Sequence, residues 1–345
     1  MRVIKKYKSE YPGDVVAGQM EKIVDWDKFS NDSRTSNVDF YISMNAPNES
    51  EIDRSRVNIF FNMENPGTWM GFKSARHNIN AERYIDYMVC HCPQTYHGRK
   101  DKSLGSVYIQ TCLPYDFDSI RNNILNSEID IDSIKKDKDV FLCGSTLQMN
   151  PEFAVTPWVK TMMDNFNFTL CSQDSRQFNK PLWEDKMIEA LRSKAAIVWT
   201  GFFHGMWHPD HNRRKAYTIK NHEFIKFKKI GEGSAIHDMT PSMTYRVLDA
   251  AFSRSIMLCY KNPFAGGEFP HSQAIENYLV PGEDFIYFED SNDLKLKLLE
   301  ILRDYDSKKY KDMIDSCYSK INKKCNINDW YENYVVSSAK RGKIL

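Results

Sequence analysis

The sequence has almost no net charge and no long apolar run. Over 345 residues, 47 Lys and Arg face 46 Asp and Glu, leaving a formal charge of +1. No global field draws such a chain to nucleic acid or a membrane, so any polyanion contact has to be local. No apolar stretch approaches the ~20 residues that span a bilayer. The opening MRVIKKYKSEYPGD has basic residues without an apolar core behind them, so a cytoplasmic protein with no membrane partner is expected. Cysteine is sparse too: eight, at 90, 92, 112, 143, 171, 259, 317 and 325, too scattered for a disulfide scaffold. Cys143 and Cys259 close apolar runs and read as small buried hydrophobes of a reducing compartment. Cys90-His91-Cys92 has no second ligand pair nearby, so no metal site is expected there. Internal repeats and low-complexity segments are absent.

What is present is ordinary globular composition, 41% hydrophobic and 27% charged, at a length that predicts about two domains of ~150 residues. Short apolar runs at 38–42, 57–61, 85–89 and 107–110 read as strands. From 116 to 138 the chain turns polar and charged, predicting an interdomain linker. A second unit opens on Asp139-Val140-Phe141-Leu142-Cys143-Gly144-Ser145, a strand ending in a Gly-Ser turn. Helical spacing at 152–166, 181–193, 242–252, 271–278 and 291–303 alternates with strand-like runs at 168–171, 195–199, 255–260 and 284–288. Such alternation predicts parallel sheets covered by helices, and a ligand cleft at the strand carboxyl ends. The division expected is 1–125, a linker at 126–138, and 139–325, with a closing helix from 326 that packs back on the first unit.

The residues with the most chemistry lie in Ser242-Met243-Thr244-Tyr245-Arg246-Val247-Leu248-Asp249. A helix starting at a Ser/Thr cap carries Arg246 in its first turn, with Asp249 three residues on and on the same side. A helix N-terminus with an Arg suits a diphosphate, and a carboxylate accepts ribose hydroxyls. The pair also reads as an intrahelical ion pair on a solvated face. Glu64 follows an apolar strand and precedes Asn65-Pro66-Gly67, a turn that would set it at the cleft rim, where a carboxylate can take a proton from an attacking hydroxyl or stabilise the turn. His204, His208 and His211 cluster in a stretch whose Gly205 and Pro209 argue for a loop lining the cleft rather than a metal-binding helix. Between 210 and 229, seven basic residues face two acids. That local +5, interleaved with Tyr217, Phe224 and Phe227, could follow a phosphate backbone or be a solvated loop. Arg99, Lys100 and Lys102 form a smaller basic run.

In its element order the second half resembles the donor-binding half of GT-B glycosyltransferases. Across both halves the sequence is similar to the phage DNA β-glucosyltransferases that modify 5-hydroxymethylcytosine. The likeness rests on residues 244–249 before Ser255-Ile256-Met257-Leu258, on Ser193-Lys194-Ala195-Ala196-Ile197-Val198, on 139–145, and on Ile59-Phe60-Phe61-Asn62-Met63-Glu64-Asn65-Pro66. The chain departs from that family's pattern where Asp249 stands for a Glu, Glu64 for an Asp, and Thr146-Leu147-Gln148-Met149 for an Arg-rich phosphate loop.

The resemblance implies an α/β GT-B fold, two Rossmann-like domains whose parallel sheets face each other across a cleft. It implies a hexosyl- or pentosyltransferase that inverts its sugar, with Glu64 as base. Donor contacts would come from Gly144, Ser145, Gly201, His204, Ser242, Thr244, Tyr245, Arg246 and Asp249. Acceptor contacts would come from Asn65, Trp69, Arg99, Lys100, Arg213, Arg214 and Lys215. A nucleotide sugar, UDP-linked by preference, is the co-substrate; no tightly bound cofactor is expected, and a divalent ion is compatible but not required. Duplex DNA is the favoured acceptor and no oligomeric partner is specified. Two other readings keep their place: transfer to a glycan, lipid carrier or protein, and a non-catalytic nucleotide or nucleic-acid binding module.

Overall fold

A computed structural model describes residues 1–5, 20–43, 46–62, 79–91, 96, 99–125, 133–143, 161–162, 164–171, 183–198, 217–220, 223–226, 243–261 and 274–345. Two five-stranded parallel sheets organise them. The first holds β1 (Arg2–Lys5), β2 (Val38–Ser43), β3 (Val57–Asn62), β4 (Tyr87–Cys90) and β5 (Val107–Gln110), in that spatial order. The second runs β12 (Ile286–Phe288), β11 (Ile256–Tyr260), β8 (Ser193–Val198), β6 (Lys138–Cys143), β7 (Phe168–Cys171). A separate hairpin within the basic stretch 210–229 pairs β9 (Tyr217–Lys220) with β10 (Glu223–Lys226) in antiparallel register.

Strands buried on both faces should be near-continuous apolar runs, and β4 and β11 are. Alternate residues then divide between opposite faces. On the first sheet Phe40, Ile42, Ile59, Phe61 and Val89 join one apolar cluster, while Tyr41, Phe60, Met88 and Cys90 join another. On the second sheet Phe141, Ala196, Val198, Met257 and Cys259 face the first of those clusters, and Val140, Leu142, Ile197 and Leu258 a third. One face of each sheet thus feeds a single shared core.

Parallel strands need crossover connections: one helix lies between β7 and β8 and another between β8 and β11, one links the two sheets, and two follow β12. In chain order these helices are α1 (Phe117–Leu125), α2 (Trp183–Arg192), α3 (Tyr245–Phe252), α4 (Ser291–Asp304) and α5 (Lys308–Lys324). α1 corrects the reading of 116–138 as linker from its first residue: Ile120 and Ile124 are fully buried, so the charged residues of this stretch flank an amphipathic helix. Nor is Lys136 solvated: its ammonium donates to the carbonyls of Ser193 (2.7 Å) and Ser253 (2.6 Å), and burial pushes its pKa down to about 7. Of the helix expected at 271–278, the described residues form a 3-10 turn, Ile275–Asn277.

The chain ends in α6 (Ile327–Trp330), a π-helical segment (Tyr331–Val336) and α7 (Ser337–Arg341). Here the indole of Trp330 packs edge-on against Trp26 and Phe61 and donates to the Cys112 carbonyl at 2.9 Å. Beyond α7, the amides of Ile344 and Leu345 donate to the buried Asp86 carboxylate at 2.8 and 3.0 Å. The C-terminal segment is therefore stitched to the first sheet.

Candidate functional site

Strand order in the second sheet reverses at β6. The chain moves from β6 outward to β7 on one side, then returns to β8 on the other, and β6 and β8 are in parallel register with Leu142 opposite Ile197. Connections on the two sides of such a point leave in opposite directions and open a crevice at the strand carboxyl ends. β6 delivers the chain to Gly144 and Ser145, and β8 delivers it towards Gly201 and His204. Those four residues and Ser242 lie outside the described residues.

α3 reaches the same edge for a topological reason. Because β8 and β11 are parallel, the helix between them runs back against the strands, which sets its first turn at their carboxyl ends. Thr244 is the N-cap, in extended backbone, but its side chain makes no capping bond and its hydroxyl is buried without a partner. Arg246 stands half-buried in that first turn. Tyr245 donates to the sulfur of Met20 at 2.7 Å, and burial raises its phenol far above the usual range.

Asp249 sits one turn deeper and is 2% exposed. Where a ribose contact was expected, its Oδ2 accepts from Lys186 Nζ of α2 at 2.6 Å and its Oδ1 from the Tyr115 hydroxyl at 2.8 Å. Tyr115 follows β5 of the first sheet, so the carboxylate joins the two units. Rings close over it: Tyr115 lies 5.5 Å from Phe117 and 6.3 Å from Tyr245, centroid to centroid. The Arg246–Asp249 spacing therefore separates a side chain at the edge from one inside the interface.

On the first sheet, β3 ends at Asn62, two residues before Glu64. Glu64, Asn65 and Trp69 lie outside the described residues. At the neighbouring strand ends, Cys90 pairs with Gln110 in register, and two polar atoms there are buried without a partner: His91 Nδ1 and Gln110 Nε2. Buried polar groups are nearly always satisfied, so a ligand at this edge would find polar contacts ready. Sequence reading weighed His91 only as a metal ligand and passed over Gln110; a polar residue just after one apolar strand and another closing the next was the available signal. Burial lowers the His91 imidazole to about 4 from the ordinary 6.5. The unfolded chain then binds the extra proton between those values, so the native protein loses stability as pH falls from 6.5 to 4. Denaturant titrations should show His91→Gln gaining on the wild type across that interval; a constant difference would contradict the assignment.

The basic run of the first unit divides. Arg99 is spent on Glu82, which is fully buried: Nε and Nη2 donate to its two oxygens at 2.7 and 2.5 Å, and the Tyr108 hydroxyl and Leu104 amide complete the shell at 2.8 and 2.9 Å. Lys100 is exposed, with its ammonium 5.4 Å from the Tyr96 ring centroid. Arg213, Arg214 and Lys215 lie outside the described residues, directly before β9. Among the described residues no group of three His, Cys, Asp or Glu side chains is placed to hold a metal ion, and no helix is long and apolar enough to cross a membrane.

No known protein family matches the sequence, and no curated protein is similar to it in sequence. Solved structures do match in shape. An α-glucosyltransferase in complex with UDP-glucose and DNA containing an abasic site aligns with 87% of this chain and 79% of its own, at TM-score 0.50 and 10% identity. The N-terminal domain of Candida albicans trehalose-6-phosphate phosphatase aligns with 95% of this chain and 74% of its own, at TM-score 0.50 and 8% identity. Anabaena HepE in complex with UDP-glucose gives 88% and 78%, at TM-score 0.46 and 9% identity. At such identities the likeness is one of architecture, and the architecture is α/β GT-B: two parallel five-stranded units joined through a common core.

Proposed function

We propose that this protein is a glycosyltransferase that moves a sugar from a nucleotide donor, UDP-linked by preference, to a hydroxyl. One observation carries the reading: at the reversal of strand order, β6 and β8 end side by side, and the first turn of α3 brings Arg246 to the same edge. Donors at a helix N-terminus and a guanidinium complement a diphosphate. Gly144 and Ser145 follow β6 directly, where a Gly-Ser turn lets phosphates approach backbone amides. A structural neighbour solved with UDP-glucose supports the choice of donor class.

In the proposed reaction the acceptor oxygen attacks the anomeric carbon, the bond from that carbon to the diphosphate oxygen breaks, and Glu64 takes the hydroxyl proton. This single displacement inverts the anomeric centre. The nucleoside diphosphate leaves with the bond's electron pair, stabilised by Arg246. A hydroxymethylated pyrimidine in duplex DNA is the favoured acceptor, supported by the family resemblance and by the DNA held in one neighbour. Lys100 and the basic segment with Arg213, Arg214 and Lys215 would supply phosphate contacts.

A thermal-shift screen of nucleotide sugars tests the donor, since a bound donor stabilises the fold by mass action. Mass spectrometry of hydroxymethylated duplex DNA incubated with the hit should then show the gain of one sugar residue. Transfer to a glycan, lipid carrier or protein, with none to DNA, would move the assignment to that acceptor. Arg246→Ala should weaken donor binding by about 2–3 kcal/mol, roughly 30- to 150-fold, as for loss of a charge-assisted contact. Unchanged affinity in calorimetry would remove Arg246 from the site.

A further inference from the structure

We infer that Tyr115, Asp249 and Lys186 form a positioning device that fixes the donor-side helix α3 against the first unit and so sets the two halves of the site in register. The inference rests on the proposed transfer reaction for its kinetic consequence, and on geometry for its existence. A residue from each of three elements meets at one buried carboxylate. Lys186 is on α2, Asp249 on α3, and Tyr115 at the exit of the first sheet; the two bonds that reach Asp249 are 2.6 and 2.8 Å long. The Lys186 and Asp249 side chains are 12% and 3% exposed, so little water competes for them.

The arrangement is directional. Asp249 is acceptor-only, Lys186 donor-only, and the Tyr115 hydroxyl gives its proton to Oδ1. Burial, and then the adjacent carboxylate, raise the Tyr115 phenol well above its usual range, so it keeps its proton and goes on donating. Surrounding contacts on the same side follow the same path from first unit to second: Phe117 packs edge-on against Phe252 at 5.3 Å, and Lys22 pairs with Glu184 at 2.6 Å. Apolar packing alone tolerates sliding; a buried hydrogen-bonded charge pair has one low-energy geometry. Asp249 lies three residues after Arg246 on the same helix, so anchoring one sets the height and rotation of the other. Tyr115 belongs to the unit from which Glu64 comes, so the anchor spans the base and the donor.

Removing the Tyr115 hydroxyl alone separates positioning from support, because Tyr115→Phe keeps the ring among Phe117, Tyr245 and Phe252. With donor site and base now less well aligned, turnover at saturating UDP-glucose and hydroxymethylated duplex should fall between about 10- and 100-fold. UDP-glucose affinity, which depends on the second unit, should stay within about twofold of wild type. Amide hydrogen exchange in 245–252 and 115–125 should quicken by about fivefold or more at a temperature where the variant is fully folded. Unchanged turnover with unchanged exchange overturns the inference, as does a parallel loss of turnover, affinity and melting temperature, the pattern of general unfolding. Should the wild type neither bind UDP-glucose nor transfer, the proposed function fails, and the exchange comparison alone still decides whether the three residues couple the units.

Discussion

Glu64→Gln should reduce sugar transfer by about 10²- to 10⁴-fold, the usual worth of a positioned general base, and leave nucleotide-sugar affinity within about twofold. Gln matches Glu in size and keeps an acceptor oxygen, but it cannot take the proton of an attacking hydroxyl. The strand before it is placed to deliver such a group. β3 is the middle strand of its sheet, parallel to β2 and β4, with Ile59, Phe60 and Phe61 fully buried. Its carboxyl end at Asn62 is therefore fixed by packing on both faces, and Glu64 follows two residues later. Single-turnover transfer measured beside donor calorimetry separates the outcomes. Undiminished transfer excludes Glu64 from the mechanism; lost affinity with lost transfer would make it a binding or folding residue.

Arg99→Ala should cost about 3–5 kcal/mol of folding stability, because it leaves the Glu82 carboxylate buried and unpaired. Arg99 is 17% exposed in its side chain and Glu82 0%, and the guanidinium supplies two of the four bonds that satisfy that acid. Lys100→Ala, one residue away on the surface, should change stability by no more than about 0.5 kcal/mol. Equilibrium denaturation of the two variants is the measurement. Equal, small effects would return Arg99 to the role of a surface cation available to an acceptor.

The contrast between these adjacent residues shows what sequence can and cannot convey. Apolar runs told where strands lie, because a strand packed against a core is mostly apolar; 38–42, 57–61 and 107–110 fall on β2, β3 and β5. Alternation of strand and helix implied the parallel sheets. β1 was missed since Arg2-Val3-Ile4-Lys5 lies at a sheet edge and tolerates charge at both ends. α5 was missed for a related reason: its buried side is the thin line Tyr310, Met313, Cys317 and Ile321, and polar and charged residues, six of them lysines, dominate the rest.

Site residues divided by range. Arg246 at a helix start follows from local spacing, and the helix begins at Tyr245 behind a Thr244 cap. The partners of Asp249 are 63 and 134 residues away in sequence, and nothing in Arg-x-x-Asp distinguishes a carboxylate turned to solvent from one closed into an interface. The Arg99–Glu82 pair was equally invisible: only the fold shows that Glu82 is inside.

Titration calorimetry of UDP-glucose into the wild type and Arg246→Ala tests the central claim most directly, because the strand reversal and the α3 first turn stand or fall together as a diphosphate site. One donor per chain should bind the wild type, with a dissociation constant roughly 30- to 150-fold weaker in the variant. The claim is contradicted if both proteins bind UDP-glucose alike, or if no nucleoside diphosphate sugar binds the wild type.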